Sequence, residues 1–192
     1  MTTIVIAEDE AIIRLDLREL LEEEGYVVVG EAGRGDQAVE LVRQLTPDLV
    51  ILDVKMPGMD GIEAARRITS EGICAVLMLT AFSQREIVEQ ARDAGAVAYL
   101  VKPFQKAELV PAIELATARY AETKALVSEV SELTERLEVR KLLDRAKGLL
   151  IDAHGIKESD AFSFIQKSAM TQRTTMRAIA ESILKGELVP PA

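Results

Sequence analysis

The sequence is poor in cysteine and has no long apolar stretch. Its single cysteine, Cys74, lies in the apolar run ICAVLML, so a small core residue in a reducing compartment is its expected role. No apolar run approaches the roughly 20 residues that span a bilayer, and the N-terminal MTTIVIAEDE turns acidic too early for a secretory signal. We therefore predict a cytoplasmic protein without membrane contact.

Basic charge is scarce in the first part of the chain. Residues 1–120 carry 12 lysines and arginines against 21 aspartates and glutamates, whereas the remaining 72 residues carry 11 of each sign. With 48% hydrophobic and 29% charged residues over 192 positions, the composition fits one medium globular domain plus a small one. Because the excess negative charge lies in the first part, a nucleic-acid partner would have to bind residues 121–192.

Short apolar runs alternate with helix-like segments through the first 120 residues. The runs are TIVIA, YVVVGE, DLVILD, CAVLML and VAYLV, and the segments between them are 11–24, 36–44, 61–70 and 85–94. Five strands separated by helices of this size predict an α/β domain at residues 1–118. Its sheet should be parallel, doubly wound and covered by helices on both faces.

A long helix is expected to follow. Between Pro111 and Gly148 the chain has neither proline nor glycine and is rich in helix formers, and we assign residues 119–139 to a linking helix. An apolar stripe recurs in it at spacings of 4, 3 and 4 residues: Leu126, Val130, Leu133 and Leu137. The stripe suits a short coiled coil or a helix packed on its own chain, and two heptads do not choose between them.

Charged and hydroxyl side chains stand where the apolar runs finish. They are Glu8 and Asp9 after the first run, Asp53 at the end of the third, Thr80 at the end of the fourth and Lys102 after the fifth. The carboxyl ends of parallel strands share one edge of the sheet, where ligands bind. We therefore expect these five side chains to meet there.

Three adjacent carboxylates resist ionisation unless a hard cation accepts their oxygens. This predicts Mg²⁺ held by Glu8, Asp9 and Asp53, with the backbone carbonyl of Lys55 also facing the metal after the sharp turn at MPG. An ionised aspartate beside a metal and a lysine is suited to attack phosphorus. Asp53 is therefore the predicted phosphoacceptor.

These motifs resemble a known family. On the acidic pair Glu8-Asp9, DVKMPGMDG, LTA and VKPF, residues 1–118 are similar to the receiver domain of two-component response regulators. The resemblance implies a flavodoxin-like fold, a sensor histidine kinase as partner, and Thr80 and Lys102 as residues that stabilise the phosphoryl group. It also implies a switch in which Thr80 and Tyr99 rearrange, although Tyr99 suits an ordinary strand aromatic as well.

Two details qualify the resemblance. The first acid is glutamate rather than aspartate, and Glu8 should still serve as a metal ligand, directly or through water. A haloacid-dehalogenase-like phosphatase would need a second aspartate where Lys55 stands, so we reject that alternative. No enzymatic activity is expected beyond self-phosphorylation from a phosphodonor and autodephosphorylation.

Two shorter helices are predicted after Gly148. The pair His154-Gly155 is typical of a helix stop, a helix is expected at about 159–169, and Thr174 or Thr175 can cap a last helix that ends before the glycine at 186. Residues 140–188 would then form a small three-helix, all-α domain. Local basic patches in this neutral part suit phosphate contacts, although a solvated helix face is the commoner explanation for charge patches alone.

The pattern of this second domain also resembles a family. Residues from about 130 to 188, with RKLLDRAKGLLIDAHGI, SDAFSFIQKSAM and TTMRAIAESIL, are similar to the ANTAR domain, a three-helix module that binds RNA in transcription antitermination regulators. With the receiver, the match resembles the phosphorylation-dependent antitermination regulators of actinobacteria. It implies binding to paired hexaloop stem-loops, whose unstacked loop bases are accessible to protein.

Roles within the second domain follow from residue type. We expect RNA contacts from six residues: Arg140, Arg145, Lys147, Arg173, Thr174 and Arg177. Small alanine and glycine positions, Gly148 among them, should let the helices approach closely, and a core should form from Phe162, Met170, Met176 and Ile179. Phe162 could instead stack on a base, but its helical spacing with other apolar residues favours the core.

The sequence thus predicts a response regulator whose phosphorylation controls RNA binding, through dimerisation on the apolar stripe. One rival is a DNA-binding helix-turn-helix output, disfavoured because the segment from Thr174 to Lys185 offers only two basic residues, Arg177 and Lys185. The other rival is a protein-interaction adaptor with a basic docking patch. Nucleic-acid affinity that is absent even at low salt would favour the adaptor.

Overall fold

The structure, a computed structural model, describes residues 1–81 and 85–189. Within these ranges strands and helices alternate through the first part of the chain, and helices follow. The elements are β1 (Thr3–Ala7), α1 (Ala11–Glu23), β2 (Val27–Ala32), α2 (Gly35–Leu45), β3 (Leu49–Asp53), α3 (Gly61–Glu71), β4 (Ala75–Thr80), α4 (Arg85–Asp93), β5 (Ala98–Val101), α5 (Lys106–His154), α6 (Glu158–Thr171) and α7 (Met176–Leu184).

The five strands form one parallel sheet in the order β2-β1-β3-β4-β5. β3 lies in the middle and every residue of it is buried, because it has a strand on each side and helices on both faces. Its continuous apolar run, LVILD, is what a strand buried on both faces requires. The predicted α/β fold with a doubly wound parallel sheet is confirmed.

Alternate residues of the strands enter two separate cores. Ile4 and Ile6 of β1 face one core, which α1 and the start of α5 complete through Leu17, Leu21 and Ile113. Intervening residues such as Val5 and Val50 face the other core, which side chains of α2, α3 and α4 close. This two-residue periodicity fixes which strand residues point to each face, and it leaves the strand ends to form the site.

The last part of α5 packs with α6 and α7 around a core of small and aliphatic side chains, which agrees with the predicted all-helical C-terminal domain. Its fully buried members include Ala146 and Leu150 on α5, Ala161 and Ile165 on α6, and Ala180 on α7. Alanine at the contacts lets helices approach closely while their aliphatic neighbours fill the remaining space.

Helix ends in this part follow the sequence signals. α5 ends at His154, and Gly155 follows with φ +65°, a left-handed conformation that favours glycine. Thr175 caps α7 by accepting a hydrogen bond from the backbone N–H of Ala178 at 3.2 Å. Of the two threonines that could have capped this helix, the structure therefore uses Thr175.

Three expectations for this core were wrong. Phe162 is 42% exposed and Met170 is 74% exposed, whereas Ile179 is buried as expected and Met176 packs against the core. A Cβ built on Gly148 would meet nothing within 4 Å, so this glycine does not mark a close helix contact. The buried stripe of α6 runs through Ala161 and Ile165, and Phe162 and Met170 lie off it.

Contacts divide the chain into two compact units, with the boundary between Ala125 and Leu126. Helix α5 contributes residues to both. In the described part of the chain, no helix combines the length and the apolar character needed to cross a membrane.

Candidate functional site

The site begins with the strand order, which sets β3 between β1 and β4. Asp53 is the last residue of β3, Glu8 and Asp9 directly follow β1, and Thr80 is the last residue of β4. Glu8, Asp53 and Thr80 are the buried polar side chains of the part of the chain that the structure describes. Polar groups are therefore concentrated at the carboxyl edge of an otherwise apolar sheet.

The three predicted carboxylates come together at this edge. One oxygen each of Glu8, Asp9 and Asp53 lies within 4.8 Å of the others, with Asp9 exposed to solvent and the other two buried. Oxygen ligands from several carboxylates are what Mg²⁺ prefers in proteins. The arrangement therefore has both the ligand type and an open side for a divalent cation.

Lys102 lies against two of these acids. Its Nζ is 2.5 Å from Glu8 Oε2 and 3.0 Å from Asp53 Oδ1, and its side chain is largely buried. Charge-assisted hydrogen bonds of this kind are among the strongest in proteins. Lys102 thus holds Glu8 and Asp53 in place from the β5 side of the site.

Lys102 only partly offsets the cost of burying the two acids. Burial raises the pKa of both Glu8 and Asp53, and hydrogen bonds from Lys102 oppose this rise without cancelling it. For Lys102 itself, burial acts to lower the pKa, but the bonds to Glu8 and Asp53 outweigh it and the pKa is raised. A divalent cation would favour the ionised form of the three carboxylates, which face a single lysine.

The backbone after β3 is tightly constrained. Gly58 has φ +77°, which completes the turn after Pro57, and Asp60 caps α3 by accepting a hydrogen bond from the Glu63 N–H at 2.8 Å. A Cβ built on Gly61 would lie 1.9 Å from the carbonyl oxygen of Asp53. The α3 helix can therefore begin directly against the strand end that carries Asp53 only because residue 61 is glycine.

A cavity of about 190 Å³ opens over these groups, and Asp9, Asp53, Lys55, Thr80 and Lys102 line it. The cavity is thus lined by four of the five side chains expected at the strand ends and by Lys55, whereas the fifth, Glu8, is fully buried and outside the lining. Tyr99 lies on β5 with half of its side chain exposed and pairs in register with Met78 of β4. Tyr99 is outside the cavity lining.

The basic residues of the C-terminal unit do not form one surface. Arg140 and Lys147 line one groove, together with Phe162, while Arg145 lines a second with Asp152 and Leu184. Arg145 lies five positions after Arg140, which places the two residues about 140° apart around α5. The two arginines therefore point in different directions from the same helix.

Acidic neighbours occupy two of the expected RNA contacts. Lys147 Nζ lies 2.9 Å from Asp144 and 2.8 Å from Glu158, and Arg177 Nε lies 3.0 Å from Glu181. In contrast, the other four members of the set make no side-chain hydrogen bond or ion pair with any residue in the described ranges: Arg140, Arg145, Arg173 and Thr174. Arg173 takes a left-handed backbone, φ +50°, between α6 and α7.

Comparison with known proteins assigns both units to families. Residues 4–114 match the response regulator receiver domain, and residues 131–184 match the ANTAR domain. The transcriptional regulatory protein PdtaR of Mycobacterium tuberculosis is 60% identical over 182 residues, which cover 95% of this chain and 89% of PdtaR. The chain belongs to the response regulators. It combines a receiver with an ANTAR domain and is similar throughout to PdtaR.

Solved structures support the receiver fold. The signal receiver domain of the putative response regulator NarL from M. tuberculosis is 34% identical with a TM-score of 0.59, covering 61% of this chain and 96% of that chain. CheY in the CheX-CheY-BeF₃-Mg²⁺ complex from Borrelia burgdorferi is 25% identical with a TM-score of 0.56, covering 58% and 86% respectively. Both likenesses fall on the receiver.

Sequence reasoning missed residues that support the receiver site. The guanidinium of Arg14 donates a hydrogen bond to the backbone carbonyl of Glu8 at 2.5 Å, and the N–H of Glu10 donates to the Glu8 carboxylate at 3.3 Å. Glu10 also lines the cavity. An acid at position 10 extends the motif EDE and could have been noticed, whereas Arg14 lies one helical turn on in α1 and gives no signal of its own.

Proposed function

We propose that this response regulator is phosphorylated on Asp53 by a sensor histidine kinase and that phosphorylation controls binding of RNA hairpins by its ANTAR domain in transcription antitermination. One observation carries the proposal: a buried aspartate at the end of the central strand of a parallel sheet, close to two further acids and a lysine, in a chain that also has an ANTAR domain. A buried carboxylate that lies in a cavity next to other charged groups is typical of a functional site.

The chemistry at Asp53 is transfer of a phosphoryl group. A carboxylate oxygen of Asp53 attacks phosphorus, an O–P bond forms, and the bond to the donor's histidine nitrogen breaks, which leaves an acyl phosphate. The Lys102 ammonium, 3.0 Å from Asp53 Oδ1, is placed to stabilise negative charge on the phosphoryl oxygens. Water later cleaves the acyl phosphate and restores the aspartate.

Four groups would hold Mg²⁺: the carboxylates of Glu8, Asp9 and Asp53 and the backbone carbonyl of Lys55. When bound, the cation would offset charge on the carboxylates and on the phosphoryl oxygens. Support comes from the chemistry of the ligands, and from the similar CheY of B. burgdorferi, whose complex contains BeF₃ and Mg²⁺.

The signal would leave the site through Thr80 and Tyr99. Thr80 lies at the edge of the cavity, where its hydroxyl can bond a new phosphoryl oxygen, and Val101 is its neighbour on β5, two residues from Tyr99. A half-exposed Tyr99 has room to change rotamer without disrupting the core. The pair would thus convert a change inside the site into a change on the protein surface.

The output step we propose is dimerisation on the apolar stripe of α5, which would bring two ANTAR domains to adjacent hairpins and keep a terminator from forming. The stripe residues Leu126, Val130, Leu133 and Leu137 are all exposed. Sedimentation of the phosphorylated protein and of Asp53→Ala tests this step. Equal monomer masses for the two proteins would remove it.

The decisive experiment measures binding of a paired-hexaloop hairpin RNA to the unmodified protein and to protein treated with a small phosphodonor and Mg²⁺. We expect phosphorylation to change the affinity, and Asp53→Ala to abolish that change while leaving the fold intact by circular dichroism. Absence of RNA binding in both forms, even at low salt, would refute the RNA output and leave a receiver with a DNA or protein partner.

A further inference from the structure

A groove of about 320 Å³ in the ANTAR domain is lined by one aromatic ring and by basic side chains. Helix α5 supplies Arg136, Val139, Arg140, Leu143, Asp144 and Lys147 to it, and α6 supplies Phe162. The volume lies at the lower end of pockets that accept small ligands, so the groove suits one flat group rather than a helix. All of these residues belong to the same compact unit.

The exposure of Phe162 needs an explanation. Phe162 and Phe164 are the only phenylalanine, tyrosine or tryptophan residues after Tyr120 in the sequence, and Phe164 packs against the core of the domain. Phe162, two residues earlier, keeps 42% of its surface in contact with solvent. An aromatic side chain left exposed in a groove offers a π-face on which a planar ligand can stack.

The charge around the groove selects the ligand. Lys147 is engaged by Asp144 and Glu158, and Arg136 pairs with Glu132 at 2.6 Å. Arg140 makes no ion pair with any residue of the described ranges, although its charge still acts on the pKa of Asp144. A free guanidinium beside an exposed ring is complementary to a nucleotide, which joins an anionic phosphate to a flat base.

We propose that an unstacked base of an RNA loop stacks on Phe162 in this groove while Arg140 contacts a neighbouring phosphate. The inference rests on the proposed RNA-binding function and gives it a site. It also divides the expected contacts, because Arg145 lines the other groove and lies about 140° away around α5, beyond reach of the same nucleotide.

The test couples changes in the protein to changes in the RNA. The probe is the paired-hexaloop hairpin, intact or with one loop nucleotide at a time made abasic. Phe162→Leu should weaken binding of the intact hairpin roughly tenfold, since base stacking on an aromatic side chain contributes on this scale. At one loop position, removal of the base should weaken RNA binding by the wild type as much as Phe162→Leu does. The same abasic RNA should bind Phe162→Leu no more weakly than the intact hairpin does.

Control variants separate stacking from loss of fold and from charge. Phe162→Tyr keeps the ring and should bind as the wild type does, and so should Met170→Leu, which alters an exposed residue of α6 outside the groove. Arg140→Gln should weaken binding of every hairpin and reduce the dependence of log affinity on log salt by about one unit. Phe162→Leu should leave that dependence unchanged.

A direct readout does not depend on Phe162→Leu folding. The chain has no tryptophan, so the indole introduced by Phe162→Trp would be the only one, and its fluorescence should be quenched by the intact hairpin but not by the abasic RNA that loses the stacked base. Equal binding of the intact hairpin by Phe162→Leu and wild type would overturn the inference and leave RNA binding in place. A wild type that binds no hairpin would refute both.

Discussion

Replacing Gly61 with alanine should disturb the acceptor site without touching a charged group. A Cβ at this position would lie 1.9 Å from the carbonyl oxygen of Asp53 and 2.8 Å from its carbonyl carbon, whereas real Cβ contacts essentially never fall below 3.0 Å. The obstacle is backbone, so no side-chain rotation relieves it. The start of α3 and the end of β3 must separate by roughly 1 Å or more.

The size of the effect follows from that separation. Overpacking costs about 1–3 kcal/mol, and lengthening the 3.0 Å hydrogen bond from the Gly61 N–H to the Val54 carbonyl adds about 1 kcal/mol. We expect Gly61→Ala to lower the free energy of unfolding of the receiver by about 2–4 kcal/mol. For a domain of this size that corresponds to a melting temperature lower by roughly 8–15 °C.

The rate of phosphorylation should also fall, because a displacement of about 1 Å at a reacting group lowers the rate on the order of a hundredfold. The assay combines urea unfolding with phosphorylation by a small phosphodonor and Mg²⁺, followed by mass spectrometry. Gly33→Ala is the matched control, since the nearest atom to a Cβ there is Arg14 Nη1 at 3.7 Å. If Gly61→Ala unfolds within about 0.5 kcal/mol of the control, the close-approach argument is wrong.

Other predictions concern a cap, a thiol and a core. Asp60→Ala should cost about 1 kcal/mol in urea unfolding and Asp60→Asn much less, because either Asp or Asn can accept the N–H bond at the start of α3. Burial raises the pKa of Cys74 to about 12, so at pH 8 native protein should react with iodoacetamide far more slowly than urea-unfolded protein, and equal rates would contradict the buried position. Leu150→Ala should cost about 2–5 kcal/mol in unfolding of the ANTAR domain, whereas its exposed neighbour Leu149→Ala should cost well under 1 kcal/mol.

The receiver could be predicted well from the sequence because its signals are local and its sheet is parallel. Strand ends in a parallel sheet share an edge, so finding acids after TIVIA and at the end of DLVILD was enough to bring Glu8 and Asp53 together. The order of the strands in the sheet could not be predicted in the same way. The order β2-β1-β3-β4-β5 depends on crossovers that the apolar pattern does not encode.

The C-terminal unit shows where reasoning from spacing fails. On α6 the buried stripe runs through Ala161, Ile165 and Ala169, yet Phe162 and Met170, each one residue further on, also follow helical spacing. Periodicity finds an apolar row without saying which of two adjacent rows meets the neighbouring helices. Larger side chains suggested the wrong row here, because close helix packing selected the alanines.

Ion pairs were equally invisible from sequence. Lys147 looked like an RNA contact in a basic cluster, but Glu158 from the next helix and Asp144 from its own helix engage it. A charge counted along the sequence is therefore not a charge available to a ligand. The count of charges also did not distinguish Arg140 from Arg145. In the structure these two arginines line different grooves.

The middle of α5 is helical although none of its residues is buried. Every residue from 121 to 138 is exposed, whereas most of the stability of helices in proteins comes from packing of an apolar face. The Arg136–Glu132 pair adds only a few tenths of a kcal/mol. The helix must therefore be held by its two anchored ends or by a second copy of its stripe. The substitution Leu133→Lys distinguishes these two explanations. If the ends hold the helix, the variant should keep the helicity measured by circular dichroism and the molecular mass measured by sedimentation. If a second copy holds it, the variant should lose helicity and dissociate to monomers together.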